Sequence, residues 1–292
     1  ALKIATETSG IALTIGHTTS ETTVADNLTV TGDFNAGNFK QEGTNFTGSL
    51  LVGHSTTGTL SGAGAGQNTG VGIYALDALT GGDENTVMGY QAGSAINTGI
   101  QNIILGGQNM QYGTSAARNT SIGYQAGRNI TGNDNIVLGN EAGENITSGA
   151  GNVIIGSVDA GSATGNRQLL IAGNDESTTT TWISGDSSGN LTFKRVDTGD
   201  DNPYVLTLQT GETDIAVSDI LGSINFQAPD EGAGTDAILV AAGIDAVSEG
   251  DFSSSNNATK LSFKTAASEA AAEKMSLSST GDLTVSGDIS AD

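Results

Sequence analysis

The sequence NTSIGYQAGRNITGNDNIVLGNEAGENITSGAGNVIIG, residues 119–156, contains one short pattern three times. Each copy begins with Asn, continues through two residues to Ile or Leu, and ends in Gly. The copies begin at Asn119, Asn135 and Asn152. A repeat this short and regular is typical of proteins that stack one small structural unit on the next.

The repeat continues on both sides of this stretch. Its glycines recur at intervals of 17, 17, 17, 16, 17 and 17 residues, and an asparagine stands four residues before each of the first six. The glycines are Gly72, Gly89, Gly106, Gly123, Gly139, Gly156 and Gly173. The asparagines are Asn68, Asn85, Asn102, Asn119, Asn135 and Asn152, and Leu169 takes this place in the last copy.

A unit of 17 residues is too short for a pair of helices, which needs roughly 30 or more. It fits one coil of a β-solenoid: a strand, a turn, a second strand and a return. The first strand directly precedes Gly, as in NIILG at 102–106. The second strand is marked by the apolar residues seven places after Gly, namely Leu79, Ile96, Ile130 and Ile146. We expect about seven coils, forming a rod section on the order of 30 Å long.

In this interpretation the recurring Asn and Gly are architectural. Stacked Asn side chains form amide ladders from coil to coil and satisfy backbone groups of the turns. Gly supplies backbone angles that a side chain forbids.

Both faces of the predicted first strand are apolar in most copies. The residues one and three places before Gly share one face, and the residue between them points to the other. That intermediate column consists of Gly70, Val87, Ile104, Ser121, Val137, Ile154 and Ile171. One face fills the solenoid interior, and the other is an exposed apolar stripe unless another chain covers it. The sequence therefore predicts self-association along the rod.

Composition excludes several classes of partner and chemistry. The net charge is −22, from 32 acidic and 10 basic residues, which argues against nucleic acid and against anionic membranes. There is no Cys, so disulfide and thiol chemistry are excluded. Because no apolar run reaches about 18 residues, we expect no membrane insertion.

Pattern changes divide the chain into four segments. They are an N-terminal β shaft segment (1–58), the solenoid (59–173), a connector (174–203) and a C-terminal β-domain (204–292). Strands in the last are predicted at 204–209, 221–228, 236–244, 260–265 and 273–279. AASEAAAEKM (266–275) has a helix-favouring composition, and a helix there is the alternative.

No catalytic, cofactor or metal site is expected. His17 and His54 lie far apart, and the acidic clusters stand beside Gly or Asn, where turns place carboxylates in solvent. Tyr90, Tyr124 and Trp182 are candidate receptor contacts, because exposed aromatic rings provide stacking faces for sugars. Packing of these rings between chains or coils is the alternative.

Two parts of the chain resemble a known class of proteins. LGSINFQAPD (221–230), DAILVAAGIDAV (236–247) and KLSFKTAASEAAAEKMSLSSTGDLTVSGDI (260–289) are similar to a stretch of many bacteriophage tail fibres and tailspikes. In those proteins it lies just upstream of a C-terminal intramolecular chaperone that trimerises the fibre and then cuts itself off. NTSIGYQAG (119–127) also resembles phage fibre shafts and the heads of bacterial trimeric autotransporter adhesins.

The resemblance implies a homotrimeric, all-β section of a virion tail fibre that acts outside the cell. Its expected partners are a host surface carbohydrate or outer-membrane receptor and other virion tail proteins. The chaperone is expected to be absent, because the sequence stops at Asp292. The alternatives are a tailspike depolymerase, which uses paired carboxylates, and a bacterial trimeric surface adhesin. The lack of a visible membrane anchor or long heptad stalk favours the phage interpretation over the adhesin.

Overall fold

The computed structural model describes residues 40–41, 50–52, 65–195, 199–228 and 238–289. The shaft predicted at 1–58 lies mostly outside these residues, as do His17 and His54. The chain divides into two units, Ala1–Asn202 and Pro203–Asp292. Across the described ranges the regular structure is entirely β, with no helix.

The first unit holds an eleven-stranded sheet in sequence order, β1 to β11. Its strands are β1 (Lys40–Gln41), β2 (Leu50–Val52), β3 (Thr69–Val71), β4 (Thr86–Met88), β5 (Ile103–Leu105), β6 (Thr120–Ile122), β7 (Ile136–Leu138), β8 (Val153–Ile155), β9 (Leu169–Asn174), β10 (Thr179–Gly185) and β11 (Leu191–Phe193). Strands β2 to β9 pair in parallel. The chain between them returns to the same edge each time, so the predicted β-solenoid is confirmed, with about six turns.

Each coil contains one strand, so the prediction of a second strand is wrong. The residues after each Gly form stacked turns, because the backbone there is left-handed at alternate positions, as at Gln91 (φ 55°) and Gly93 (φ 53°). The turns still bond from coil to coil: Gln91 N donates to Ile73 O at 2.9 Å, and Gly93 N donates to Asn109 O at 2.9 Å. Stacking therefore satisfies the backbone without a second ladder.

The solenoid interior is filled from the strand and from the turns. The intermediate strand column is the buried one, with Val87, Ile104, Val137 and Ile154 almost fully buried. The residues predicted for the second strand complete this core from the turns and are fully buried: Leu79, Ile96, Ile130 and Ile146. The third coil lacks this residue, because Gly113 occupies the place, and Met110 lies buried beside it.

The seventh copy of the repeat lies one residue earlier than the glycine spacing predicts. Strand β9 pairs with β8 so that Leu169 lies opposite Val153, and Leu170 opposite Ile154. The residue stacked on Gly156 is therefore Ala172, so the placement of Gly173 in the glycine column is wrong. The same shift makes Leu170, rather than Ile171, the residue that follows Ile154 in the intermediate column.

Antiparallel strands close both ends of the described stack. β1 pairs antiparallel with β2 at one end, and β9, β10 and β11 form an antiparallel meander at the other. The strands that pair there cover the edge of the last coil. An uncovered edge strand would be open to pairing with strands of other chains, which leads to aggregation.

The second unit is a five-stranded antiparallel sheet. Its strands are β12 (Ile220–Gln227), β13 (Val240–Ser248), β14 (Thr259–Thr265), β15 (Ala272–Leu277) and β16 (Leu283–Val285). The alternating pattern at 204–209 predicts a strand, but none forms there, because no neighbouring strand in the described part of the chain pairs with these residues. Leu208 lies against Gly222 instead. No helix forms at 266–275, because β15 starts within it and pairs with β14.

The two faces of this second sheet differ in polarity. Ile224, Ile244, Phe263, Met275 and Val285 lie side by side across all five strands on one face. The other face carries Asp245, buried and 2.6 Å from Lys264 Nζ. Several residues of the apolar face remain exposed, among them Ile224 (45%), Phe226 (56%), Leu261 (43%) and Leu277 (41%).

Candidate functional site

The asparagine column forms the ladder that the sequence predicts. At Asn102, the backbone N and Nδ2 both donate to Asn85 Oδ1, at 3.0 and 2.9 Å. Asn102 Nδ2 also donates to Ala116 O at 2.8 Å, at the end of the same coil. Each asparagine side chain therefore links neighbouring layers while fully buried. The two bonds to the Oδ1 of the preceding asparagine recur at Asn85, Asn119, Asn135 and Asn152.

Gln168 extends this ladder by one layer, which the sequence did not reveal. Its backbone N donates to Asn152 Oδ1 at 2.9 Å, and its Nε2 donates to the same oxygen at 3.2 Å. A longer amide thus replaces Asn in the last coil.

The glycine column sits where the chain turns out of the strand. Gly89 has φ +138°, and a Cβ there would overlap the carbonyl of Gly106 in the next layer. Gly72, Gly106, Gly123 and Gly139 are in the same situation. Close approach of successive layers, together with the backbone angle, therefore requires Gly at this position.

The outer strand face is an uncharged stripe along the solenoid. We define the apolar stripe as the residues one and three places before each Gly, which are Thr69, Val71, Thr86, Met88, Ile103, Leu105, Thr120, Ile122, Ile136, Leu138, Val153 and Ile155. Several of its large side chains are well exposed in the single chain: Met88 (54%), Ile103 (44%), Ile136 (41%) and Ile122 (40%). Apolar side chains this regularly placed and exposed are typical of a protein interface.

The three candidate receptor contacts occupy two different places. Tyr90 and Tyr124 both follow a column glycine and are about half exposed, at 51% and 50%. Trp182 lies on β10, beyond the last coil, and is 53% exposed. Its indole lies against Gly173, where a Cβ would come within 2.7 Å of the ring. Gly173 therefore makes room for Trp182.

A cluster on the turns of the third and fourth coils surrounds Tyr124, and of its members only Tyr124 was predicted from the sequence as a candidate contact. We define the coil-three patch as Gln108, Gln111, Tyr112, Tyr124 and Arg128. The Arg128 guanidinium lies 5.2 Å from the centroid of the Tyr112 ring, and its Nη2 donates to Tyr112 Oη at 3.1 Å. The available signal was the third coil's departure from the repeat.

An acidic groove lies at the far end of the solenoid. Glu141, Glu144, Asp159 and Glu176 line an open groove of about 660 Å³. Glu144 lies 3.6 Å from Arg128 Nη1. Glu141 and Glu144 belong to the acidic residues beside Gly or Asn that were expected in solvated turns, and both line this open groove.

One exposed column also carries an ion pair. Arg118 donates to Asp134 through Nε (2.7 Å) and Nη2 (3.0 Å). These hydrogen bonds lower the pKa of Asp134 below its ordinary value and raise that of Arg118. The pair joins successive coils at the solenoid surface.

Metal and membrane sites were also sought among the described residues. They contain no group of three or more His, Asp or Glu side chains placed to hold a metal ion. Nor do these parts of the chain include a helix with the length and hydropathy of a membrane span.

Comparison with known proteins returns no family model, no curated protein and no solved structure similar to this chain.

Proposed function

We propose that this protein is a structural and adhesive segment of a viral tail fibre, active as a homotrimer that attaches the virion to the host cell surface. It acts outside the cell, without enzymatic activity or cofactor. Its partners are a host surface carbohydrate or outer-membrane receptor and other tail proteins of the virion. A rigid stack of coils holds adhesive surfaces away from the particle, so the work is mechanical.

The observation that carries this proposal is the apolar stripe. A chain with net charge −22 leaves an uncharged, apolar strip along the solenoid strands. Water-exposed apolar area is unfavourable at roughly 25 cal/mol per Å², so covering the strip stabilises the molecule. Identical chains are the partners present wherever this protein is made, and repeated layers of equal spacing match one another. Three chains around one axis cover all three stripes.

Engineered cysteines test this arrangement cleanly, because the natural chain has no Cys. Ile122→Cys places one thiol on the stripe, and Ser148→Cys places one on an exposed turn of the same solenoid. After mild oxidation, Ile122→Cys is expected to give disulfide-linked pairs containing at most two of every three chains, since the third thiol at a three-fold axis has no partner. Ser148→Cys is expected to stay uncrosslinked. If the Ile122→Cys protein stays uncrosslinked while the Ser148→Cys protein forms disulfide-linked pairs, the stripe is not the interface.

A polysaccharide depolymerase is the second candidate, and the acidic groove is the observation in its favour. Glycoside hydrolysis uses two carboxyl groups that flank the scissile bond. Incubation of the protein with bacterial polysaccharides decides between the two functions. New reducing ends that disappear in Glu141→Gln or Asp159→Asn would establish the enzyme, and their absence supports the adhesive fibre.

A bacterial trimeric surface adhesin is the third candidate, favoured by the same stacked Asn and Gly columns. A membrane-anchor segment in the full-length gene would decide for it.

A further inference from the structure

We propose that the coil-three patch is a binding site for a neutral polysaccharide. This inference rests on the proposed attachment function and gives it a location and a ligand class.

The patch is organised before any ligand arrives. Tyr124 Oη donates to Gln108 Oε1 at 3.0 Å, and Arg128 Nε donates to Gln111 Oε1 at 3.1 Å. Gln108 and Gln111 both donate to Gln91 Oε1, at 3.3 and 3.1 Å. These bonds tie the side chains of three successive coils into one network. Fixed side chains lose little conformational freedom on binding, which favours affinity.

The third coil departs from the repeat at the places that build this patch. The coils on either side have Ala92 and Ala126 at the third position after Gly, where this coil has the buried Asn109. Asn109 Nδ2 donates to Ser121 O and Gly123 O, both at 3.0 Å. It thereby holds the turn that carries Gln108 against the backbone that carries Tyr124.

This departure has a local energetic cost. Asn109 Oδ1 is buried and has no hydrogen-bond partner, and Met110 adopts φ 44° in place of the Gly found at this position in three other coils. A buried acceptor without a partner is destabilising by comparison with satisfied groups. Residues that destabilise their own structure are often found at functional sites. A coil that is less stable than its neighbours is therefore a candidate binding site.

The chemistry of the patch matches a neutral sugar polymer. Tyr112 and Tyr124 are each 50% exposed, and aromatic faces stack on the C–H faces of sugar rings. Glutamine amides donate to and accept from hydroxyl groups. The carboxylate of Glu144 lies 3.6 Å from Arg128 Nη1 and offsets the positive charge of Arg128. The protein's net charge of −22 repels anionic glycans. The patch joins groups from layers ~4.8 Å apart, so that one polymer contacts several of them at once.

The test measures retention of the full-length chain on an array of purified bacterial polysaccharides, neutral and acidic. The wild-type protein is expected to bind one or more neutral polysaccharides. Tyr112→Ala is expected to weaken that binding by about fivefold or more, the size of one aromatic contact, while Tyr112→Phe retains most of it. Gln108→Ala is expected to weaken it as well, with the protein's fold unchanged by circular dichroism.

Phe193→Ala is the matched control, since it removes a similarly exposed ring (45%) elsewhere on the same unit. Loss of binding in Phe193→Ala with full binding in Tyr112→Ala would overturn the assignment, as would retention of no polysaccharide or of acidic ones alone. Light scattering on the same samples separates this inference from the assembly. A trimer that binds no glycan rejects the patch alone, whereas a single chain that binds through Tyr112 rejects the trimer alone.

Discussion

At the scale of single residues, the fold depends on side chains that connect one layer with the next. Asn119 is representative. Its Oδ1 accepts from Asn135 N at 2.9 Å and from Asn135 Nδ2 at 3.1 Å, and its own Nδ2 donates to Gly132 O at 3.1 Å. These groups are buried and have no access to water, so only the stacked neighbour satisfies them.

Replacing Asn119 with Ala is therefore expected to destabilise the protein by about 3 kcal/mol, because several buried polar groups lose their partners. Chemical unfolding at fixed protein concentration measures the change. Asn97→Ala removes an exposed asparagine of the same solenoid and is expected to shift stability by less than about 0.5 kcal/mol. Equal losses of unfolding free energy in the two variants would show that the ladder hydrogen bonds do not stabilise the fold.

The third coil allows the opposite experiment. Asn109→Ala together with Ser121→Val restores the residue types that neighbouring coils carry at these buried positions, Ala126 and Val137. The double variant removes the unpartnered Oδ1 and adds apolar burial, so we expect its free energy of unfolding to rise by about 1–2 kcal/mol. Differential scanning calorimetry would reveal this as a higher melting temperature. A lower one would mean that Asn109 stabilises the coil despite its unpaired oxygen.

At the scale of elements, one coil is the unit that the structure adds or removes. Each coil contributes one short parallel strand, and its backbone bonds to other coils go to the coils directly above and below it. Stability of such a stack is roughly a sum of coil and nearest-neighbour terms.

Deletion of residues 90–106, one complete period from Gly89 to Gly106, is thus expected to preserve the fold with a modest loss of stability. The asparagine and glycine columns close up in phase, with Asn119 next in the ladder after Asn85. Deletion of residues 90–97, about half a period, puts both columns out of phase and is expected to abolish cooperative unfolding. Circular dichroism and thermal melts distinguish these outcomes, and equal tolerance of both deletions would contradict a stacked solenoid.

The stability of the antiparallel meander at the end of the solenoid is expected to depend on pH, because a turn carboxylate is hydrogen-bonded there. Asp186, between β10 and β11, has a pKa below the ordinary value, first because Asn190 Nδ2 donates to its carboxylate and then because the backbone N–H groups of Asn190 and Ser188 do. The hydrogen-bonded carboxylate is favoured in the folded state. Its stabilising effect is therefore present above the ordinary Asp pKa of about 3.9 and is lost as pH falls through the lowered folded value.

We accordingly expect amide protons of β10 and β11 to lose protection below about pH 4 in hydrogen-exchange measurements. In Asp186→Asn this acid-dependent loss should shrink. The exposed Asp200→Asn serves as the control and should leave it unchanged. If Asp186→Asn loses protection at the same pH and to the same extent as the wild type, the Asp186 carboxylate does not cause the loss.

At the scale of the whole molecule, charge and apolar surface are separated. The excess of acidic residues disfavours contact with anionic surfaces, while the apolar stripe carries no charge. In the second unit, one sheet face is likewise apolar and partly exposed, with Phe226 at 56% and Leu283 at 61%. Both units thus leave apolar sheet surface exposed in the single chain, and we propose that sister chains cover it in each of them.

Much of this organisation was readable from the sequence, because stacked layers require the same residue at each period. Asn102 and Gly106 were recognisable for that reason. The buried strand face was not decidable, since Ile103 and Ile104 are equally apolar and only the direction of the turn separates exposed from buried. The last coil was misplaced because Gln168 and Ala172 replace the two marker residues and the interval shortens by one.

The second strand was predicted wrongly for a different reason. Ile96 and Ile130 are buried at a regular spacing, but burial alone does not distinguish a strand from a stacked turn, whose left-handed residues such as Gln91 leave no mark in the pattern of apolar side chains. The coil-three patch escaped notice because Tyr112 and Arg128 come from different coils and meet only after stacking.

The mass of the wild-type chain in solution tests the central claim most directly. Light scattering across micromolar concentrations, paired with gel electrophoresis in detergent before boiling, is expected to give a single species of three times the 29.2 kDa chain mass that resists the detergent. A well-folded species of 29.2 kDa at every concentration would contradict the account, because the apolar stripe would then be stable in water without a sister chain to cover it.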